Sequence, residues 1–120
     1  MKKMILVLLL LLAATAVYAQ QINLGNFPVG RWLDANYNAV WEFTSSNIRI
    51  TVDGNVVFDF SQNTVQNFRV SMDGTQPSIT FSCPEAGRTY RFTTRLPATG
   101  LRMTIDREGL PQYTVDMSRQ

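Results

Sequence analysis

Arginine is the residue type in this chain best equipped to hold a partner. Arg91 and Arg95 lie four apart in a segment that alternates polar with apolar residues, so both point to one side of a strand, and Arg102 follows in the next such segment. A guanidinium cluster can seat a carboxylate, a phosphate or an acidic protein surface through paired hydrogen bonds. The same three residues also suit a solvated exterior in which they pair with Asp106 and Asp116. Acid–base chemistry has much less to work with. There is no histidine, so Ser-His-Asp and Cys-His systems cannot be built and the commonest metal ligand is missing. Asp34, Asp53, Asp73, Glu85, Asp106 and Glu108 fall at turns or outward positions, where turn formation and solubility explain them. Glu42 is the exception. It sits between Trp41 and Phe43, on the outer face by parity. Cys83 is the sole cysteine. It suits a small buried apolar position, the sharper alternative being an intermolecular disulfide. No glycine-rich phosphate loop or zinc-type cysteine pair is present. This chemistry predicts a non-enzyme with no cofactor and no metal.

The N-terminus predicts export. Lys2 and Lys3 precede an uncharged apolar run from Met4 to Ala14, and two small-residue sites follow, Ala14-Thr15-Ala16 and Val17-Tyr18-Ala19. That order is the pattern of a cleavable secretory signal. The run falls short of the ~20 residues that span a bilayer. Residues 1–19 are therefore expected to be the signal, with cleavage after Ala16 as the alternative, and residues 20–120 to be one domain without a stable membrane anchor. The destination is the periplasm or the exterior. Both lysines of the chain lie in the signal, which leaves nine arginines against nine Asp and Glu. The formal charge of +2 thus belongs to the signal, and nothing predicts nucleic-acid binding, which needs clustered basic surface. With one cysteine the domain forms no internal disulfide and must be held by packing.

These residues must be positioned by strands, because no part of 20–120 carries helical periodicity. Period-two alternation predicts strands near 30–33, 39–44, 47–52, 55–60, 65–72, 78–82, 89–96, 101–106 and 112–117. Turn chemistry separates them, most clearly Asp53-Gly54, with further turns at 73–74, 84–87, 97–100 and 107–109. No link can hold a crossover helix, so consecutive strands should be antiparallel neighbours. Parity gives one apolar face that includes Trp41, Phe43, Ile48, Val56, Phe58, Phe68, Val70, Met72, Phe81, Tyr90, Phe92, Met103 and Ile105. A sheet with one apolar face must curl over that face or pack it on a second sheet. Hairpin-length links favour an up-and-down barrel of eight or nine short strands over a Greek-key sandwich.

At Gly30-Arg31-Trp32 the first strand resembles the lipocalin-like (calycin) barrels, of exported bacterial type. The resemblance covers roughly residues 30–120 and rests on this Gly-x-Trp and the meander. It implies that Trp32 closes one end of the barrel under an arginine that follows the last strand, here Arg119. Ile22, Leu24, Phe27 and Pro28 would plug the same end. The chain lacks the disulfide and C-terminal helix usual in that family.

An eight-stranded barrel can be filled by its own side chains or hold one small ligand. The many large inward residues favour a mostly filled interior, and a small apolar pocket would be walled by Trp41, Phe58, Tyr90 and Phe92, with the Tyr90 hydroxyl as polar handle. The function expected is binding of a small apolar ligand. The alternative is a protein-interaction or inhibitor module with a solid core, using its loops or the Arg91, Arg95 and Arg102 face.

Overall fold

A computed structural model describes residues 22–25, 27–95 and 100–120. The expected signal, residues 1–19, and most of the turn at 97–100 lie outside them. The described chain is all-β. Its strands are β1 (Gly30–Asp34), β2 (Ala39–Phe43), β3 (Ile48–Val52), β4 (Asn55–Asp59), β5 (Gln66–Asp73), β6 (Gln76–Cys83), β7 (Arg88–Arg95), β8 (Gly100–Arg107) and β9 (Tyr113–Arg119). Two short 3-10 turns, η1 (Phe60–Gln62) and η2 (Pro84–Ala86), interrupt the meander.

All nine strands form one antiparallel sheet in the order β4-β3-β2-β1-β9-β8-β7-β6-β5, curled into a half-barrel. The first and last strands pair, with Trp32 opposite Arg119 and Leu33 opposite Ser118. Strand number then has a geometric consequence. Antiparallel neighbours alternate in direction, and an odd number of them cannot alternate all the way round a ring. One adjacent pair must run the same way, and here it is β4 and β5, which share no ladder. A hairpin cannot join two parallel strands. Residues 60–65 instead run back from one end to the other, with their own Phe60 and Val65 buried in the core. Near one end Ser61 donates its N–H to Asn47 Oδ1 at 3.1 Å, and near the other Thr64 donates to Glu85 Oε1 at 3.0 Å.

The core is aromatic. Phe60 lies against Trp41, Phe58, Phe81 and Tyr90 with ring centroids 4.7–5.9 Å apart. Phe68, Phe81, Tyr90 and Phe92 extend the stack across β5, β6 and β7. Such pairs add roughly 0.5–1.5 kcal/mol each beyond area burial. Three positions expected to be buried on the apolar face are exposed. A bulge between Ile50 and Thr51 sets Ile50 opposite Phe58 but Thr51 opposite Val56, so Val57 is extra and Val56 turns outward. Val70 and Met72 keep the inward parity but stay exposed, because β5 is an edge strand.

Candidate functional site

The two ends of the barrel differ. One is closed by the residues around the first turn of chain. Trp32 is buried, and the Arg119 guanidinium carbon stands 4.5 Å from its ring centroid. Arg119 Nη1 also donates to the Val29 carbonyl at 3.3 Å. Gly30 permits this approach. Its φ is +145°, and a Cβ there would stand 2.6 Å from Arg119 Nη1. Ile22, Leu24 and Phe27 are buried beside them. Leu24 donates its N–H to the Ser45 carbonyl, and Phe27 stacks on Phe43 at 6.0 Å.

The opposite end is open. There β1 and β8 finish and β2, β7 and β9 begin. A cavity of about 240 Å³ is lined by Asp34, Tyr37, Ala39, Trp41, Ile50, Arg88, Met103, Ile105, Arg107 and Tyr113. Ala39, Trp41, Ile50, Met103 and Ile105 supply an apolar wall. Arg88 and Arg107 are direct cross-strand partners on β7 and β8, and they share the inward parity of Tyr90 and Ile105. Like charges set opposite each other in a ladder destabilise it. Among the described residues neither is ion-paired to a carboxylate. Arg107 donates to the Pro111 carbonyl at 2.7 and 3.2 Å. Arg88 lies against the Tyr90 hydroxyl. Burial pushes the Tyr90 pKa up, and the Arg88 charge works against that rise.

Asp34 is only 2% exposed, yet its carboxylate is satisfied within the protein. It accepts from the Tyr113 hydroxyl at 2.9 and 3.1 Å and from the Asn36 N–H at 3.0 Å. Asn36 Nδ2 in turn donates to the Tyr113 hydroxyl at 3.0 Å. Burial raises the Tyr113 pKa and Asp34 raises it further, against the Asn36 hydrogen bond, so the phenol remains a donor at neutral pH. Among the described residues Arg88 and Arg107 have no ion-pair partner of this kind.

Of the four wall residues expected from sequence, Trp41 alone lines the cavity. Tyr90 and Phe92 are buried behind it, 5.9 and 5.4 Å from its ring, and Phe58 packs on Phe60 at the β4 side. Arg91, Arg95 and Arg102 share the outer surface, but they are not equivalent. Arg102 is engaged by Asp116 through two bonds of 2.9 and 3.2 Å, which hold the Asp116 carboxyl below the usual range. Arg91 and Arg95 are exposed. Glu42 is flanked by Arg49 at 2.8 Å and Arg31 at 3.7 Å, one arginine from each neighbouring strand. No group of three metal-ligating side chains occurs among the described residues.

Sequence reasoning passed over Arg88, Arg107, Asp34, Tyr37 and Tyr113 as a group. The signal was available for the first three. Strand parity carried one step beyond Tyr90, Ile105 and Trp32 reaches Arg88, Arg107 and Asp34. Comparison with family models, curated proteins and solved structures returns no match.

Proposed function

We propose that this chain is an exported, lipocalin-like, non-enzymatic binding protein whose open end takes a small, mostly apolar ligand and holds an anionic group of it between Arg88 and Arg107. One observation carries the reading: two arginines face each other in the ladder at the mouth of a cavity with an apolar wall, and among the described residues neither is ion-paired to a carboxylate, the Asp34 carboxylate of the same lining being engaged by Tyr113 and Asn36. A bound anion would relieve their repulsion and form charge-assisted hydrogen bonds. The cavity is slightly smaller than the ~300–1,000 Å³ of drug-sized ligand sites, so the ligand is a short chain or a single ring. The alternative, a protein-interaction module, draws on the exposed Arg91 and Arg95.

Trp41 reports on the pocket it lines. Titration of the protein with hexanoate, followed by tryptophan fluorescence, should give a saturable change, and hexanol should bind about tenfold or more weakly, one charge-assisted contact being worth roughly 1.5–3 kcal/mol. The pair Arg88→Met and Arg107→Met should bring hexanoate down to the level of hexanol. Saturable binding that ignores both substitutions would overturn the anion assignment, and no response to either compound would overturn the pocket itself.

A further inference from the structure

Of the sheet's two edge strands, β4 and β5, the second leaves side chains of inward parity wet. β5 pairs only with β6, and along its outer half Val70 is 40% and Met72 62% exposed. Natural proteins seldom leave such an edge apolar, because its free N–H and C=O groups invite another strand. Which strand fits can be read from the register of β5.

Gly74-Thr75 makes a two-residue hairpin with Asp73 opposite Gln76, and Gly74 has a φ of +63°. Glycine at the first central position is the requirement of a type II′ hairpin, whose closing pair is hydrogen-bonded. The ladder alternates from that pair. Asp73, Ser71 and Arg69 therefore direct their backbone groups to β6, and Met72 and Val70 direct theirs to the open side. Pro77, which has no N–H, stands opposite Met72, a position where the ladder requires none.

We propose that β5 is a self-complementary edge through which two copies of this chain pair, antiparallel and centred on Ser71. A two-fold axis at Ser71 sets Val70 opposite Met72 of the second copy, and Met72 opposite its Val70. These are the residues whose backbone groups are free, so the pairing forms hydrogen bonds without disturbing β6. It also buries the apolar side chains that β5 leaves wet. On the outer face the same axis sets Arg69 opposite Asp73 of the second copy, and Asp73 opposite its Arg69. Within one copy neither Arg69 nor Asp73 is ion-paired among the described residues. One register thus matches backbone, apolar face and charge together. The contact is isologous and closes at two copies.

Sedimentation equilibrium of the whole exported domain tests this. The protein should show a reversible monomer–dimer equilibrium at concentrations up to roughly 1 mM, the range of a weak contact worth about 4 kcal/mol. Arg69→Asp sets Asp against Asp and Asp73→Arg sets Arg against Arg, so each alone should weaken the dimer on the order of tenfold or more. An equimolar mixture of the two variants should restore association as a heterodimer, which a folding defect could not do. Val70→Pro removes an N–H that faces the open side and no ladder bond to β6, and should abolish the dimer while the circular dichroism spectrum of the sheet is kept. A protein that stays monomeric at about 1 mM, one that forms larger oligomers, or a dimer indifferent to the charge variants would overturn the proposal. Ligand binding at the open end plays no part in it, so the hexanoate titration and this experiment can fail separately.

Discussion

At the scale of single residues, the closed end depends on a contact that three side-chain positions share. Trp32 should be the costliest to remove. Trp32→Ala is expected to destabilise the protein by about 3–5 kcal/mol, as core tryptophan truncations do, and Arg119→Ala by roughly 0.5–2 kcal/mol. Gly30→Ala should also destabilise, because a Cβ meets Arg119 Nη1 and a φ of +145° strains any L side chain. Only the first part of that penalty involves Arg119, so the double variant Gly30→Ala/Arg119→Ala should lose less than the two singles combined. Urea unfolding of the four proteins measures this, and strict additivity would show that the guanidinium does not press on Gly30. Cys83 makes a second residue-level statement. It is fully buried, and burial, with Glu85 nearby, raises its thiol pKa. Iodoacetamide at mildly alkaline pH should leave the native protein unlabelled and modify it once unfolded. Rapid native labelling would place the thiol at the surface.

At the scale of elements, the return segment after β4 is held by one carboxylate. Asp59 Oδ1 accepts from the Ser61 N–H, the Ser61 hydroxyl and Asn47 Nδ2, and the Asp59 carbonyl accepts from Asn63 Nδ2. Burial works to raise the Asp59 pKa, but the hydrogen bonds from Ser61 and Asn47 and the charge of Arg49 outweigh it, and the net shift is downward. A carboxyl depressed in the folded state stabilises above its unfolded value of ~3.9 and loses that contribution as pH falls through the folded value. Asp59→Asn keeps a capping oxygen but loses the charge, and should therefore cost up to about 1 kcal/mol at neutral pH, the difference between charge-assisted and neutral hydrogen bonds. The deficit should vanish in acid, as chemical denaturation at a series of pH values will reveal. A deficit independent of pH would mean that the charge of Asp59 contributes nothing. The strands themselves were legible from sequence, because alternation and turn residues act locally: Asp53-Gly54 fixes its hairpin wherever it lies. The β4 bulge was not, since Val56 and Val57 both suit either face and the choice is made by packing against β3. Nor was the open-end pocket, although Trp41 was. Arg88 and Arg107 resemble surface arginines until the ladder sets them opposite each other over apolar residues.

At the scale of the whole molecule, the odd strand count leaves β4 and β5 as the sheet's two edges, and stability should be distributed accordingly. Amide hydrogen exchange should be fastest in β4 and the outer half of β5 and slowest in β7 and β8, which are paired on both sides. Equal protection across all nine strands would contradict the open seam. The dimer proposed above adds a refinement, since protection of Val70 and Met72 should then rise with protein concentration.

The pairing of β1 with β9 has one further outcome. Among the described residues it is the only ladder that joins strands distant in the chain, because every other neighbour is a hairpin partner. Gln120 donates its N–H to the Arg31 carbonyl, so the end of the chain lies at the same end of the barrel as Leu24. A circular permutant that links Gln120 to Ile22 and opens the chain at Asn63 would turn that distant ladder into a local one. Its strands would run in the spatial order of the sheet from one edge to the other, with every ladder between sequence neighbours. Folding rate rises as contact order falls, so stopped-flow refolding should be faster for the permutant than for the natural chain, even where the lost return segment makes it less stable.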